Sequence, residues 1–219
     1  MHSHIIPGVD DGSVDMEESL QMTKIAYESG VRRLCATPHI REGWRTETVI
    51  LRQKLDELIA LKNQLGLTDM ELLLGAEYML DEFLMEKLLK REVLTLPGNL
   101  VLVETSFYAP PINLDEMLFE IEIKGYTPLI AHPERYDFYQ RTPSTYTSLK
   151  DKGYLFQLDL MSLQGGYGRS TQKTAKILLE QGMFDYVGSD MHSADDAKII
   201  AQFFKSSETI ALSNVPSTK

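Results

Sequence analysis

The 219-residue sequence is poor in the features that mark an exported, membrane-bound or nucleic-acid-binding chain. It has a single cysteine, Cys35, so no internal disulfide can form, which suits a reducing compartment. No apolar run approaches the roughly 18–20 residues that a membrane span needs. No charged segment followed by an apolar leader opens the chain, so the expected location is the cytoplasm, without membrane insertion. Positive charge is also scarce. Against 32 Asp and Glu there are 22 Lys and Arg, a formal net charge of -10, which repels polyphosphate backbones and excludes generic nucleic-acid binding. Low-complexity stretches, charge blocks and close repeats are absent as well.

What remains is an ordinary globular composition, 43% hydrophobic and 25% charged, in a length that fills one core. A single domain over 1–219 is expected. Short apolar runs recur at Val31 to Ala36, Leu72 to Ala76, Leu100 to Glu104, Thr127 to Ala131, Tyr154 to Leu160 and Tyr186 to Ser189. Mostly unalternating, with Gly or Pro nearby, they suit parallel strands buried on both faces. Helices are expected between them. Asp15 to Ser29 sets Met16, Leu20, Thr23 and Tyr27 on one face; Val49 to Leu65 carries Leu51, Leu55, Leu58, Ile59 and Leu65. Leu114 to Lys124, Pro143 to Lys152 and Thr171 to Gln181 complete the set, and each helix stops at a glycine: 30, 66, 125, 153 or 182. Alternating strands and helices imply an α/β fold with a parallel sheet, open or closed into a small barrel.

Polar residues follow these runs in a telling way. His39 comes after Val31 to Ala36, Glu77 after Leu72 to Ala76, and Glu104 ends the run from Leu100. His132 follows Thr127 to Ala131, and Asp190 and His192 follow Tyr186 to Ser189. His2 and His4 open the chain before the loop Gly8-Val9-Asp10-Asp11-Gly12. In parallel α/β folds the C-terminal strand ends share one rim, where ligands bind. All five histidines hold such positions, and most have an acidic neighbour. Imidazoles and carboxylates without thiolates suit Mn²⁺, Zn²⁺ or Fe²⁺. In an extended segment, His-x-His puts both rings on one side.

Two further features invite other readings. Cys35 and Arg41 have the Cys-x5-Arg spacing of cysteine-based phosphatases, but the intervening loop holds Pro38 and no glycine, and Cys35 lies inside an apolar run where an inert thiol is expected. Phe107, Tyr108, Pro110 and Pro111 form a loop after Glu104 that is either packing or a rim for an aromatic substrate.

His2-Ser3-His4 with Pro7-Gly8-Val9-Asp10-Asp11-Gly12 resembles the opening signature of the PHP (polymerase and histidinol phosphatase) superfamily. Ala36-Thr37-Pro38-His39, Gly75-Ala76-Glu77, Glu104, Ala131-His132-Pro133-Glu134-Arg135 and Ser189-Asp190-Met191-His192 continue it in order. The Pro-Gly-Val-Asp-Asp-Gly and His-Pro-Glu-Arg pieces make the chain similar to bacterial capsule and exopolysaccharide tyrosine-protein phosphatases. The resemblance implies a distorted seven-stranded (β/α) barrel with three divalent ions, Mn²⁺ by expectation, at its C-terminal rim. It implies one ion held by His2, His4, Glu77 and Asp190, a second by Glu104 and His132 with Glu77 bridging, and a third by Asp11, His39 and His192. Arg135 is expected at the substrate phosphate, with His39 and His192 beside the reacting group. The implied substrate is the phosphotyrosine-bearing tail of a membrane-associated tyrosine autokinase. A histidinol phosphate-like small molecule and a non-catalytic, metal-stabilised scaffold are the alternatives. Relatives carry an apolar strand before His-x-His where only Met1 stands here. The expectation is therefore that residues preceding His2 are missing; if the strand were truly absent, His2 would lie on a frayed end.

Overall fold

The computed structural model describes residues 2–205, 212 and 215. The expected domain range 1–219 thus includes residues, among them Met1 and 206–211, that lie outside the described ones.

The chain runs β1 (His2–Ser3), α1 (Met16–Glu28), β2 (Arg33–Ala36), β3 (His39–Ile40), α2 (Thr48–Gln64), β4 (Glu71–Leu74), β5 (Glu77–Met79), α3 (Glu82–Lys90) and β6 (Leu100–Glu104). It continues through α4 (Leu114–Ile123), β7 (Thr127–Ala131), a 3-10 turn (Pro133–Arg135), α5 (Asp137–Arg141), α6 (Ser144–Asp151), β8 (Leu155–Asp159), α7 (Leu160–Gln164), α8 (Arg169–Glu180), β9 (Tyr186–Gly188) and α9 (Ala194–Lys205). None of these helices is long and apolar enough to cross a membrane.

Every paired strand is parallel. One sheet has the order β1-β2-β4, and the other, which curls as a half-barrel, has the order β3-β5-β6-β7-β8-β9. Hydrogen bonding continues past the strand ends. Thr37 N donates to Ser3 O at 2.8 Å, Glu77 N to Pro38 O at 3.1 Å, and His4 N to Met191 O at 3.0 Å. His2 therefore lies on no frayed end: it pairs with Cys35 in β2 and is 1% exposed.

Helix boundaries follow local chemistry. Asp15 caps α1 by accepting from Glu18 N at 2.9 Å, and Asp81 caps α3 by accepting from Leu84 N at 3.1 Å. The expected terminating glycines take the left-handed conformation that only glycine adopts freely, as at Gly66 (φ +80°) and Gly182 (φ +66°). The buried face of α1 differs from the expected one. Ser19, Met22, Thr23 and Ala26 are buried, while Met16, Leu20 and Tyr27 pack at its edge. The small residues there let α1 lie close to α2 and α9. Leu65 also departs from expectation, being 54% exposed beyond the last turn of α2.

The core has two parts. Val101, Val103, Ile130, Phe156 and Leu158 belong to the large cluster beneath the helices. Leu100, Leu102, Leu129 and Ala131 join Cys35 and Leu96 in a smaller cluster on the opposite strand faces. Along that second face two strands change character toward their C-terminal ends: Leu100, Leu102, Glu104 in β6, and Leu155, Gln157, Asp159 in β8. An apolar floor therefore carries polar side chains at one end only.

Candidate metal centre

Three groups of side chains each bring one ligand atom per residue within 4.8 Å of the others: His2, His4, Glu77 and Asp190; His4, Asp11, His39 and His192; and His39, Glu77 and Glu104. The first coincides with the set expected for the first ion. The second is the expected third set with His4 added. The third has His39 where the resemblance implied His132. His132 is nonetheless adjacent, its Nε2 3.1 Å from Glu77 Oε1.

Second contacts aim the imidazoles. His2 Nδ1–H donates to Gln157 Oε1 at 2.9 Å, and His4 Nδ1–H donates to Asp10 Oδ2 at 2.8 Å. Both Nε2 atoms then face inward, 3.0 Å apart, with lone pairs available for a cation. His192 Nδ1–H donates to the Asp190 carbonyl at 2.8 Å and presents Nε2 in the same way. Asp10 also accepts from Gly12 N at 3.0 Å and His39 N at 2.8 Å, tying the loop after β1 to β3. Sequence reading passed over Asp10 in favour of its neighbour Asp11 and gave no role to Gln157. The inner-face alternation of β8 was the available signal for Gln157.

Two residues of the cluster bend the backbone where their strands end. His132 has φ 35° and Asp190 φ 45°, a left-handed conformation that side-chain-bearing residues seldom adopt. Both follow strand ends, β7 and β9, so the strain turns the side chains over the end of the sheet.

The donor set fits divalent cations. Glu77 Oε2, Glu104 Oε1, Asp190 Oδ1 and His39 Nδ1 are buried without a hydrogen-bond partner, an arrangement costly enough to require compensation. Among the protein groups alone, protons on imidazoles supply some of it. Burial opposes charge on His2, yet the carboxylates of Glu77 and Asp190 push its pKa up to about 10. Burial likewise opposes charge on His4, but Asp10, Asp190 and Glu77 hold it well above the usual range. In turn, those imidazoles overcome the burial of Glu77 and Asp190 and keep both carboxyls well below the usual range. His192 is lowered by burial and by the neighbouring His4. A divalent cation is the natural replacement for these protons.

Around the cluster lies a ring of arginine and aromatic side chains. Arg135 Nη1 donates to Asp190 Oδ2 at 2.5 Å and stands 3.5 Å from Asp159 Oδ2. Its guanidinium is 3.9 Å from the Tyr167 ring centroid and 4.8 Å from that of Phe107. Phe107, from the aromatic loop singled out in the sequence, also packs 5.8 Å from the His132 ring. Tyr108 points away, 82% exposed. Cys35 lies within β2 at 4% exposure in the small apolar cluster, with no loop of free N–H groups around it. It is not placed as a nucleophile.

The model of one protein family, Capsular polysaccharide synthesis, CpsB/CapC, matches residues 1–202. The chain belongs to the CpsB/CapC family. Among its relatives, Tyrosine-protein phosphatase YwqE of Bacillus subtilis is 32% identical over 197 residues, covering 88% of this chain and 76% of that protein. Tyrosine-protein phosphatase CpsB of Streptococcus pneumoniae is 31% identical over 204 residues, covering 89% and 83%. Putative tyrosine-protein phosphatase CapC of Staphylococcus aureus is 26% identical over 195 residues, covering 88% and 76%. A solved structure from work on YwqE and CpsB, described there as unique metal-dependent tyrosine phosphatases, superposes with a TM-score of 0.82 at 28% identity. The match covers 99% of this CpsB/CapC-family chain and 95% of that one.

Proposed function

We propose that this chain is a metal-dependent protein-tyrosine phosphatase, one domain over 1–219. Its substrate in this reading is phosphotyrosine on the tail of a membrane-associated tyrosine kinase that controls capsular or exopolysaccharide synthesis in the bacterial cytoplasm. The observation that carries the reading is the convergence of all five histidines with Asp11, Glu77, Glu104 and Asp190 around buried oxygen atoms that lack hydrogen bonds. The names of the CpsB/CapC relatives direct it to phosphotyrosine.

The fold is read as a distorted seven-stranded barrel with the site at its C-terminal rim. In support, β2 resumes as β3 after two residues and β4 resumes as β5 after two residues. A parallel bridge between Ser3 and Met191 joins the ends of the strand order.

Three ions are assigned as the resemblance implies. A neutral imidazole has one acceptor nitrogen, so His39 cannot serve two groups at once. Its Nε2, 3.5 Å from Asp11 Oδ1, goes with Asp11 and His192. His132 Nε2 then supplies the imidazole missing beside Glu77 and Glu104. Mn²⁺ is the expected metal, and Zn²⁺ or Fe²⁺ would also suit these donors. Bound divalent cations supply a nucleophile from water at neutral pH and neutralise phosphoryl charge.

The protein does the rest. Gln157 and Asp10 hold the Nδ1–H groups of His2 and His4, so Nε2 is the nitrogen each would offer once a cation displaced its proton. Arg135, fixed between Phe107 and Tyr167, aims a permanently charged fork at the phosphoryl oxygens. The burial of His2, His4, Glu77, Glu104, His132 and Asp190 keeps bulk water from competing with these contacts.

The test is phosphate release from a phosphotyrosyl peptide, with EDTA and with added Mn²⁺, in wild type, Cys35→Ser and His132→Ala. Loss with EDTA, recovery with Mn²⁺, activity in Cys35→Ser and none in His132→Ala are expected. Activity indifferent to EDTA and lost in Cys35→Ser overturns the reading. Turnover of histidinol phosphate in preference to the peptide would move the substrate to small molecules.

A further inference from the structure

One cation at the site has no part in the arrangement above. Arg41 opens a tight turn directly after β3, in which Arg41 N donates to Trp44 O at 3.1 Å and Trp44 N to Arg41 O at 2.9 Å. The turn folds the guanidinium onto the indole, with its central carbon 4.4 Å from the ring centroid. That indole in turn stacks on the His39 imidazole, 5.3 Å between centroids and 12° between planes. Arg41 is thereby held against a member of the cluster by two ring contacts, neither of which uses its N–H groups.

Among the described residues those N–H groups make no hydrogen bond. Nη1 stands 3.6 Å from Glu104 Oε1, within ion-pair range but too far for a hydrogen bond. The side chain is 30% exposed whereas Glu104 is buried, so the guanidinium lies above the carboxylate at the mouth of the site. Arg135 differs: one of its N–H groups is already bonded to Asp190. The two arginines also approach from different sides. Arg41 follows β3 and reaches the end of β6, whereas Arg135 follows β7 and reaches the ends of β8 and β9.

We propose that Arg41 is a second phosphate-binding cation, which takes a phosphoryl oxygen from the β3–β6 side of the cluster while Arg135 takes another from the β7–β9 side. The inference rests on the phosphomonoester reading of the site. Were Glu104 Oε1 to hold a cation, its pull on Arg41 would fall and the guanidinium would be free to turn its planar fork toward the substrate. Trp44 is the positioning residue: it fixes the guanidinium plane and braces His39 at the same time.

The experiment uses Mn²⁺-loaded full-length protein and a peptide bearing non-hydrolysable phosphonomethyl-phenylalanine, with binding followed by calorimetry. Arg41→Gln is expected to weaken the peptide roughly ten- to hundredfold, the scale of a lost charge-assisted contact. Arg41→Lys should recover part of that loss. Mn²⁺ titrated alone should bind Arg41→Gln as tightly as wild type or more tightly, since a positive charge beside Glu104 is gone. Trp44 is the sole tryptophan, so rotation of the stacked guanidinium over its ring and partial neutralisation of its charge should change wild-type emission when the peptide binds. Unchanged peptide affinity in Arg41→Gln overturns the proposal. So does a loss fully accounted for by weaker Mn²⁺ binding, which would leave Arg41 as a counter-charge for Glu104. Failure of the phosphatase reading is distinguishable, because wild type would then release no phosphate from the phosphotyrosyl peptide whatever the binding comparison gives.

Discussion

Replacing Gly12 by alanine should damage the metal centre through a residue that ligates nothing. A Cβ at this position would lie 2.4 Å from the Cβ and 2.4 Å from the carbonyl oxygen of His4, and 3.0 Å from Asp10 Oδ1. Carbon atoms pack at about 3.5–4.0 Å, so His4 or the loop must move by about 1 Å. His4 is poorly placed to yield, because its N–H donates to Met191 O and its carbonyl accepts from Ser13 N, both at 3.0 Å. Overpacking of this kind costs roughly 1–3 kcal/mol, which for a domain of this size lowers Tm by roughly 2–12 °C. The shift is shared with Asp10, the acceptor that aims His4, and loss of such support weakens metal affinity by about 10–100-fold. The assay is Mn²⁺ titration by calorimetry alongside thermal melting, with Gly30→Ala as control. Gly30 has φ +95° and nothing within 4 Å of a new Cβ, so that variant should lose stability and keep its metal affinity. Wild-type Mn²⁺ affinity in Gly12→Ala would refute the reasoning.

Gln157→Leu removes the acceptor of His2 Nδ1–H and should weaken Mn²⁺ binding by about 10–100-fold, read by the same titration; an unaltered isotherm would dismiss Gln157 as an orienting group. Arg135→Lys gives up the planar contact with Tyr167 and Phe107 and should raise KM for a phosphotyrosyl peptide about tenfold or more, as expected when a fork is replaced by a point charge; an unmoved KM would count against a substrate contact. In chelator-treated protein His2 has its pKa raised to about 10, above an unfolded value of about 6.5. Its contribution to stability is therefore complete below about pH 6.5 and lost as pH rises toward 10, while Mn²⁺ affinity should rise over the same interval because the metal displaces that proton. Melting temperatures of the chelated protein that climb from pH 6.5 to 10 would contradict this.

Much of the fold could be read before any coordinates because buried parallel strands advertise themselves as apolar runs. The runs at Leu100 to Glu104 and Thr127 to Ala131 became β6 and β7 with the same limits. The short strands β3 and β5 leave no such trace; they form because the neighbouring ladder is already in place. Helix α3 was missed because its window, Glu82–Lys90, follows β5 with little separation and no glycine marks its end; Arg91 takes the left-handed position there instead. The residues that converge at the candidate centre were legible because imidazoles and carboxylates stand directly after or at the end of the apolar runs, as His132 after Thr127 to Ala131 and Glu104 at the end of Leu100 to Glu104. Groups acting through others were not. Asp10 looks like half of an Asp-Asp pair, and nothing in one dimension says that its carboxylate meets His4 and the N–H of His39. Trp44 and Arg41 come together by a turn whose only sequence mark is Gly43.

The left-handed backbone at His132 and Asp190 would make the stability of the protein depend on its supply of divalent cations. Positions of that kind cost on the order of 1–3 kcal/mol each. A cation that binds only the folded chain, present at about 100 times its Kd, adds about 2.7 kcal/mol, enough to offset much of that penalty. In a cell starved of the metal the offset disappears, the unfolded fraction rises, and chaperones and proteases meet more of it. The quantity of enzyme, and not only its turnover, would then follow the availability of divalent cations.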